Sequence, residues 1–209
     1  MSTPTTVIFD VANVIVDWAA ERALRGFLPD ADVDAFLDSE IVWEVNAASD
    51  AGVLLSDCVD ELAERAPELV PTYRVYLERF PLTVSGPEPG TTAVIDRLLR
   101  AGVPAYGLSN WSAENFDIAR RGAPVLGRLR EVLVSGEIGL AKPDPAIFRY
   151  ALRRWELPRG SLTLPAEITE GMVDHVVWVP TNSPGSRVRV ELGSIAGDIV
   201  TLSKGGGAQ

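Results

Sequence analysis

Asp10 follows the apolar residues "VIF" in "VIFDVANVIVDW", Ser109 and Asn110 close "PAYGLSN", and Lys142 stands in "GLAKPDPAIF" just ahead of a helical pattern. A carboxylate nucleophile, a hydroxyl donor and an ammonium group are the side chains that phosphoryl transfer through an aspartyl-phosphate would use. The carboxylate attacks phosphorus, the hydroxyl and adjacent backbone N–H groups hold the equatorial oxygens, and the lysine offsets charge on nucleophile and phosphate. Mg2+ belongs to the same scheme, because two anions approach each other only when a cation screens them. Taken singly, each residue also has a plain reading: a strand-end carboxylate, a turn or helix cap, a solvated lysine.

The elements that must position these groups follow from periodicity. Residues 7 to 11 read as a first strand, and the text up to about residue 85 reads as helical and strand-poor. In "LLSDCVDELAER" Leu54, Leu55, Cys58, Val59 and Leu62 recur at helical spacing, and "VPTYRVYLERF" repeats the pattern. "SGPEPG" at 85–90 then interrupts with turn residues. After Gly90 the chain alternates helix "TTAVIDRLLRAG", strand "PAYGLSN", helix from about Ser112, strand "EVLVSGEIG" and helix "PAIFRYALRRWEL". Such alternation predicts βαβ units and a parallel sheet. The helical block then becomes an insertion after the first strand, over the strand ends where ligands bind. Asp144 and Pro145 read as an N-cap and first-turn proline, which sets Lys142 at a helix start. Beyond about Gly160 short alternating runs and Gly/Pro/Ser punctuation predict a β-rich tail.

The 209 residues carry a formal charge of −10 and a single cysteine, Cys58. One cysteine forms no intramolecular disulfide, and Cys58 reads as a small core residue in a cytoplasmic protein. No apolar run approaches the about 20 residues of a membrane helix. The acidic balance argues against nucleic acid and anionic membrane as partners, and leaves a small phosphorylated molecule as the expected one.

Taken in order, "FDVANVIVDW", "YGLSNWSAENF" and "SGEIGLAKPDPAIFRYAL" resemble the first three motifs of the haloacid dehalogenase-like (HAD) hydrolase superfamily, over about residues 5 to 158. The resemblance implies an α/β fold with a Rossmann-like parallel sheet and an inserted α-helical cap. It divides the chain into a core of residues 1–13 and 86–160, a cap of 14–85, and a tail of 161–209. It further implies Asp10 as nucleophile and magnesium ligand, the carbonyl of Ala12 as a second ligand, Ser109 and Asn110 as phosphate-binding pair, and Lys142 as charge neutraliser. Trp111, directly after that pair, is a candidate pocket wall. Asp17 and Trp18 read as hinge residues between core and cap.

Two departures from the family pattern stand out. Where many phosphatases of the superfamily carry a second aspartate two residues after the nucleophile, this chain has Ala12. The fourth motif, an acidic pair after the next strand, is also missing, because "HVVWVP" runs into Thr181 and Asn182, while Glu167, Glu170 and Asp174 precede that strand. The tail instead resembles the C-terminal end of the G subunit of NADH-quinone oxidoreductase, with none of its iron–sulfur cysteines. The expected activity is a Mg2+-dependent phosphatase acting on a small phosphate monoester. The alternatives are a catalytically impaired fusion or truncation product, a 2-haloacid dehalogenase-like enzyme, and an interaction module working through the tail.

Overall fold

The computed structural model describes residues 6–157. The expected β-rich tail at 161–209, with His175, Arg187, Arg189, Thr181 and Asn182, lies outside the described residues. The centre is a parallel sheet of β1 (Val7–Phe9), β4 (Ala105–Ser109) and β5 (Val132–Val134), in the order β1–β4–β5. Val7 pairs with Ala105, and Ser109 with Val134. Every residue of β4 is buried, as expected of a central strand covered on both faces. Its side chains alternate between two cores. Tyr106 and Leu108 join Leu133 and the helix α8 (Pro145–Arg154), where Trp155 stacks on Tyr106 at 4.5 Å, whereas Ala105 joins the larger cluster with Ile95 and Phe116. Gly107 is required for close approach, because a Cβ there would lie 3.1 Å from both methyl groups of Val132.

Ile95 belongs to α5 (Thr91–Arg100) and Phe116 to α6 (Phe116–Gly122), the crossovers on that second face. The parallel strands and intervening helices give the α/β, Rossmann-like arrangement expected from the alternation.

Residues 19–83 are helical: α1 (Asp30–Leu37), α2 (Glu40–Asp50), α3 (Leu55–Arg65) and α4 (Val70–Glu78), joined by short 3₁₀ turns. On α3 the periodic residues Cys58, Val59 and Leu62 are buried, and the Cys58 thiol donates to the Val45 carbonyl. Burial pushes that thiol up to about 11, an inert core group. Phe36, Tyr73, Tyr76 and Phe80 form a chain of ring contacts, the Phe36–Tyr76 pair at 5.4 Å and the Tyr76–Phe80 pair edge-on at 5.5 Å.

Three boundaries differ from expectation. The block is not strand-free: β2 (Val16–Trp18) pairs antiparallel with β3 (Val84–Pro87), so part of the "SGPEPG" stretch is strand and not turn. Asp17 ties this short ribbon together. It accepts from the Ser85 hydroxyl and from Arg22, and these two contacts hold its carboxyl below the usual carboxylate range. The strand expected through "EVLVSGEIG" ends at Val134, because Ser135 opens a helical turn, α7 (Ser135–Ile138), closed by Gly139 at φ 66°. The helix expected from Ser112 begins at Phe116. No helix of the described residues is long and apolar enough to cross a membrane.

Candidate active site

Asp10, Asn110 and Ser135 follow the carboxyl ends of β1, β4 and β5, so three neighbouring parallel strands deliver them to one edge. Asp10 is held from two sides. Its Oδ1 accepts from the Val11 N–H at 2.7 Å and from the Lys142 ammonium at 2.6 Å. The next residues form a tight loop in which the N–H groups of Val14, Ile15 and Val16 all point to the Val11 carbonyl. Asn13 takes the left-handed conformation at φ 56° that asparagine tolerates, and its Oδ1 accepts from the Trp18 N–H. Val11 and Ile15 are fully buried beneath it. The small-residue "DVANV" stretch is therefore a rigid platform for the carboxylate.

Lys142 is positioned as firmly. Its ammonium also donates to the Leu108 carbonyl at 3.0 Å. The Asn110 side chain clamps its main chain, accepting from the Lys142 N–H and donating to the Lys142 carbonyl, both at 2.8 Å. Asp144 caps α8 through the Ala146 N–H, as its place before Pro145 predicts. Residues 132 positions apart in sequence thus meet in a half-buried ion pair.

The expected phosphate-binding pair lies at the same edge. The Asn110 amide donates one bond to Lys142 and accepts one from it, so Asn110 also positions the lysine. Ser109 is fully buried, with its hydroxyl directed at the Asn110 carbonyl 3.4 Å away. Trp111 does wall the cavity beside the site, while its main-chain N–H is held by the Ser135 hydroxyl. The Glu114 carboxylate accepts from the Leu55 N–H at 2.5 Å, at the first turn of α3.

The cavity encloses about 260 Å³. Rings of Trp18, Trp43, Tyr76, Phe80 and Trp111 line it, together with Ala12 and Asn110. One functional candidate was not visible in the sequence: Asp50, the last residue of α2, also lines this cavity. Burial raises its carboxyl to about 7, against the opposing pull of the Lys142 charge and a hydrogen bond from the Ser112 N–H. In sequence Asp50 is one of many acidic residues in an amphipathic block. Only the fold turns it towards the strand ends.

Among the described residues no group of three or more His, Cys, Asp or Glu gathers as a metal site. The donors present are the Asp10 carboxylate and the carbonyl of Ala12, a residue of the cavity wall. Magnesium usually keeps several waters and takes one or two carboxylates plus substrate phosphate oxygens. One carboxylate and one carbonyl fit an ion completed in that way.

No family model matches the chain. Two curated relatives, the G subunits of NADH-quinone oxidoreductase from Mycobacterium bovis and from Mycobacterium tuberculosis, are each 49% identical over 47 residues, 22% of this chain. The chain spans about 6% of the length of these curated relatives. Among solved structures, a HAD family enzyme from Bacteroides thetaiotaomicron in complex with magnesium and inorganic phosphate is 17% identical, with a TM-score of 0.52 over 73% of this chain and 79% of that one. A predicted HAD-like family hydrolase from Porphyromonas gingivalis is 19% identical, with a TM-score of 0.53 over 74% and 77%. The L-2-haloacid dehalogenase RSc1362 is 22% identical, with a TM-score of 0.53 over 76% and 75%. The parallel β1–β4–β5 sheet with its crossover helices is thus that of the haloacid dehalogenase-like fold.

Proposed function

We propose that the chain is a hydrolase of small phosphate monoesters, with Asp10 as nucleophile. The Asp10–Lys142 pair carries this reading: a carboxylate fixed at the end of a parallel strand, with an ammonium 2.6 Å from one oxygen. The Val11 N–H and Lys142 both engage Oδ1, which fixes the plane of the carboxylate for attack on phosphorus. Attack breaks the ester P–O bond and expels the alcohol, which takes its proton from water because Ala12 carries no acid. Lys142 remains beside the new acyl-phosphate and offsets the charge of the transferred group. Water then attacks phosphorus, releasing phosphate and restoring the carboxylate. Mg2+, when bound by Asp10 and the Ala12 carbonyl, supplies the positive charge that lets two anions meet. Residues 14–85 act as a cap that closes over the strand ends and selects the organic part of the ester. Magnesium in one structural neighbour and phosphate beside it support this reading.

The test is release of phosphate from p-nitrophenyl phosphate by the full chain. Activity that requires magnesium and disappears in Asp10→Asn is the expected result. Halide release from a 2-haloacid without metal, in place of phosphate release, assigns the same carboxylate to carbon–halogen cleavage instead. No magnesium binding by calorimetry together with no turnover identifies the impaired product that the missing fourth motif predicts.

A further inference from the structure

The cavity beside Asp10 has an unusual composition for a site meant to receive an anion. Among the described residues that line it there is no lysine or arginine, and the nearby Lys142 ammonium is already engaged by Asp10 and the Leu108 carbonyl. Its lining instead includes five aromatic residues, among them Tyr76 and Trp111, whose O–H and Nε1–H also find no partner among the described residues, and Asp50, a largely buried carboxylate held by the Ser112 N–H. Asn115, 9% exposed, lines the same cavity, and its Oδ1 finds no hydrogen-bond partner among the described residues. A buried acceptor without a donor keeps its full desolvation penalty until something supplies one.

Resting on the phosphatase reading, we infer that the organic part of the substrate carries a protonated primary amine, received by Asp50 and the Asn115 carbonyl between the cavity's aromatic rings. The three groups favour the same guest for different reasons. An ammonium has three N–H donors, enough for the Asp50 carboxylate and the orphaned Asn115 oxygen together. The ring faces attract a cation through their quadrupoles, and more strongly once water is excluded. The carboxylate loses its desolvation penalty only when a cation or a proton joins it. A neutral polyol would satisfy Asn115 but would leave the buried Asp50 charge only the pull of Lys142, itself bound to Asp10. Asp50 titrates near 7 in the empty cavity, so at pH 8 it is ionised and ready for a cationic guest. The cavity of about 260 Å³ admits an amino alcohol or an amino sugar bearing one phosphate.

A matched pair of non-hydrolysable probes tests this in the full chain at pH 8: 3-aminopropylphosphonate against butylphosphonate, equal in shape and differing in ammonium for methyl. Binding is read by calorimetry and by the fluorescence of the cavity tryptophans. The expected result is at least tenfold tighter binding of the amine than of butylphosphonate, a ratio that falls to parity in Asp50→Asn. Equal affinities in the unaltered chain overturn the inference, as does a preference that survives Asp50→Asn, or glucose 6-phosphate binding more tightly than the amine. Turnover of p-nitrophenyl phosphate separates the two readings. If it persists while the amine preference is absent, only the inference about the amine fails; if turnover is absent and neither phosphonate binds, the phosphatase reading fails with it.

Discussion

Asn110 makes contacts that its motif position does not reveal. Its place after Ser109 suggests a phosphate ligand, and its side-chain amide also bonds the main chain of Lys142 through one N–H and its oxygen. Asn110→Ala should therefore lower kcat about 10–100-fold with little change in KM, because a misplaced ammonium costs transition-state stabilisation more than ground-state binding. Asn110→Asp keeps the acceptor for the Lys142 N–H but sets a carboxylate oxygen against the Lys142 carbonyl and should lose at least as much; steady-state kinetics on p-nitrophenyl phosphate decides. Asp50 makes a different prediction. Its carboxyl titrates near 7 in the folded chain and near 3.8 when unfolded, so its favourable contribution is complete below about pH 4 and is lost as pH rises through 7. Asp50→Asn removes that penalty. The variant should match the unaltered chain near pH 4 and exceed it by about 1–2 kcal/mol at pH 8, after allowance for a partly exposed site, as measured by urea unfolding across that range.

At the scale of elements, the helical block meets the sheet edge through a few close backbone contacts. The turn after α2 brings Gly52, at φ 101°, against α7, where a Cβ would lie 3.2 Å from the Gly136 carbonyl. Gly136 is tighter still: a Cβ there would stand 2.5 Å from the Ala113 nitrogen and 2.8 Å from the Trp111 carbonyl. These are backbone atoms with nowhere to go, so Gly136→Ala should cost about 1–3 kcal/mol and weaken activity by shifting the Trp111 wall. Thermal melts and kinetics on the same preparation test both effects, and an unchanged melting temperature would refute the tight packing. Much of the architecture was legible because each signal is local: the 3.6-residue period of α3, the Asp144–Pro145 start of α8, the apolar run of β4. The β2–β3 ribbon was hidden because strands of three and four residues have no measurable period, and its tie between Asp17 and Ser85 spans 68 positions. Likewise no local signal links Glu114 to Leu55, 59 positions away. The Asp10–Lys142 pair was legible as ordered motifs, but Asp50 reaches the cavity only through the packing of α2 against the sheet edge, which no short stretch encodes.

For the whole molecule, the formal charge of −10 opposes the proposed anionic substrate. Much of the acidic surface is locally paired, as where Arg25 meets Asp34 and Arg65 meets Glu44 and Glu61. Such exposed pairs contribute little to stability, and they leave the long-range field negative. Beside Asp10 the Lys142 ammonium opposes that field only at short range, which sets how salt should act. The screening length is about 30 Å at 0.01 M salt and about 8 Å at 0.15 M. A dianionic ester approaching from solution is repelled over the longer distance, whereas its final contact with Lys142 lies inside the shorter one. Raising ionic strength between those limits should thus increase kcat/KM for a dianionic phosphate ester, by about two- to threefold, with kcat unchanged. The inferred amine-bearing ester, whose ammonium offsets one phosphate charge, should respond more weakly. Initial rates at constant free Mg2+ in sodium chloride measure both slopes. A fall in kcat/KM with salt would mean that a basic path to the site, and not the acidic surface, governs the encounter.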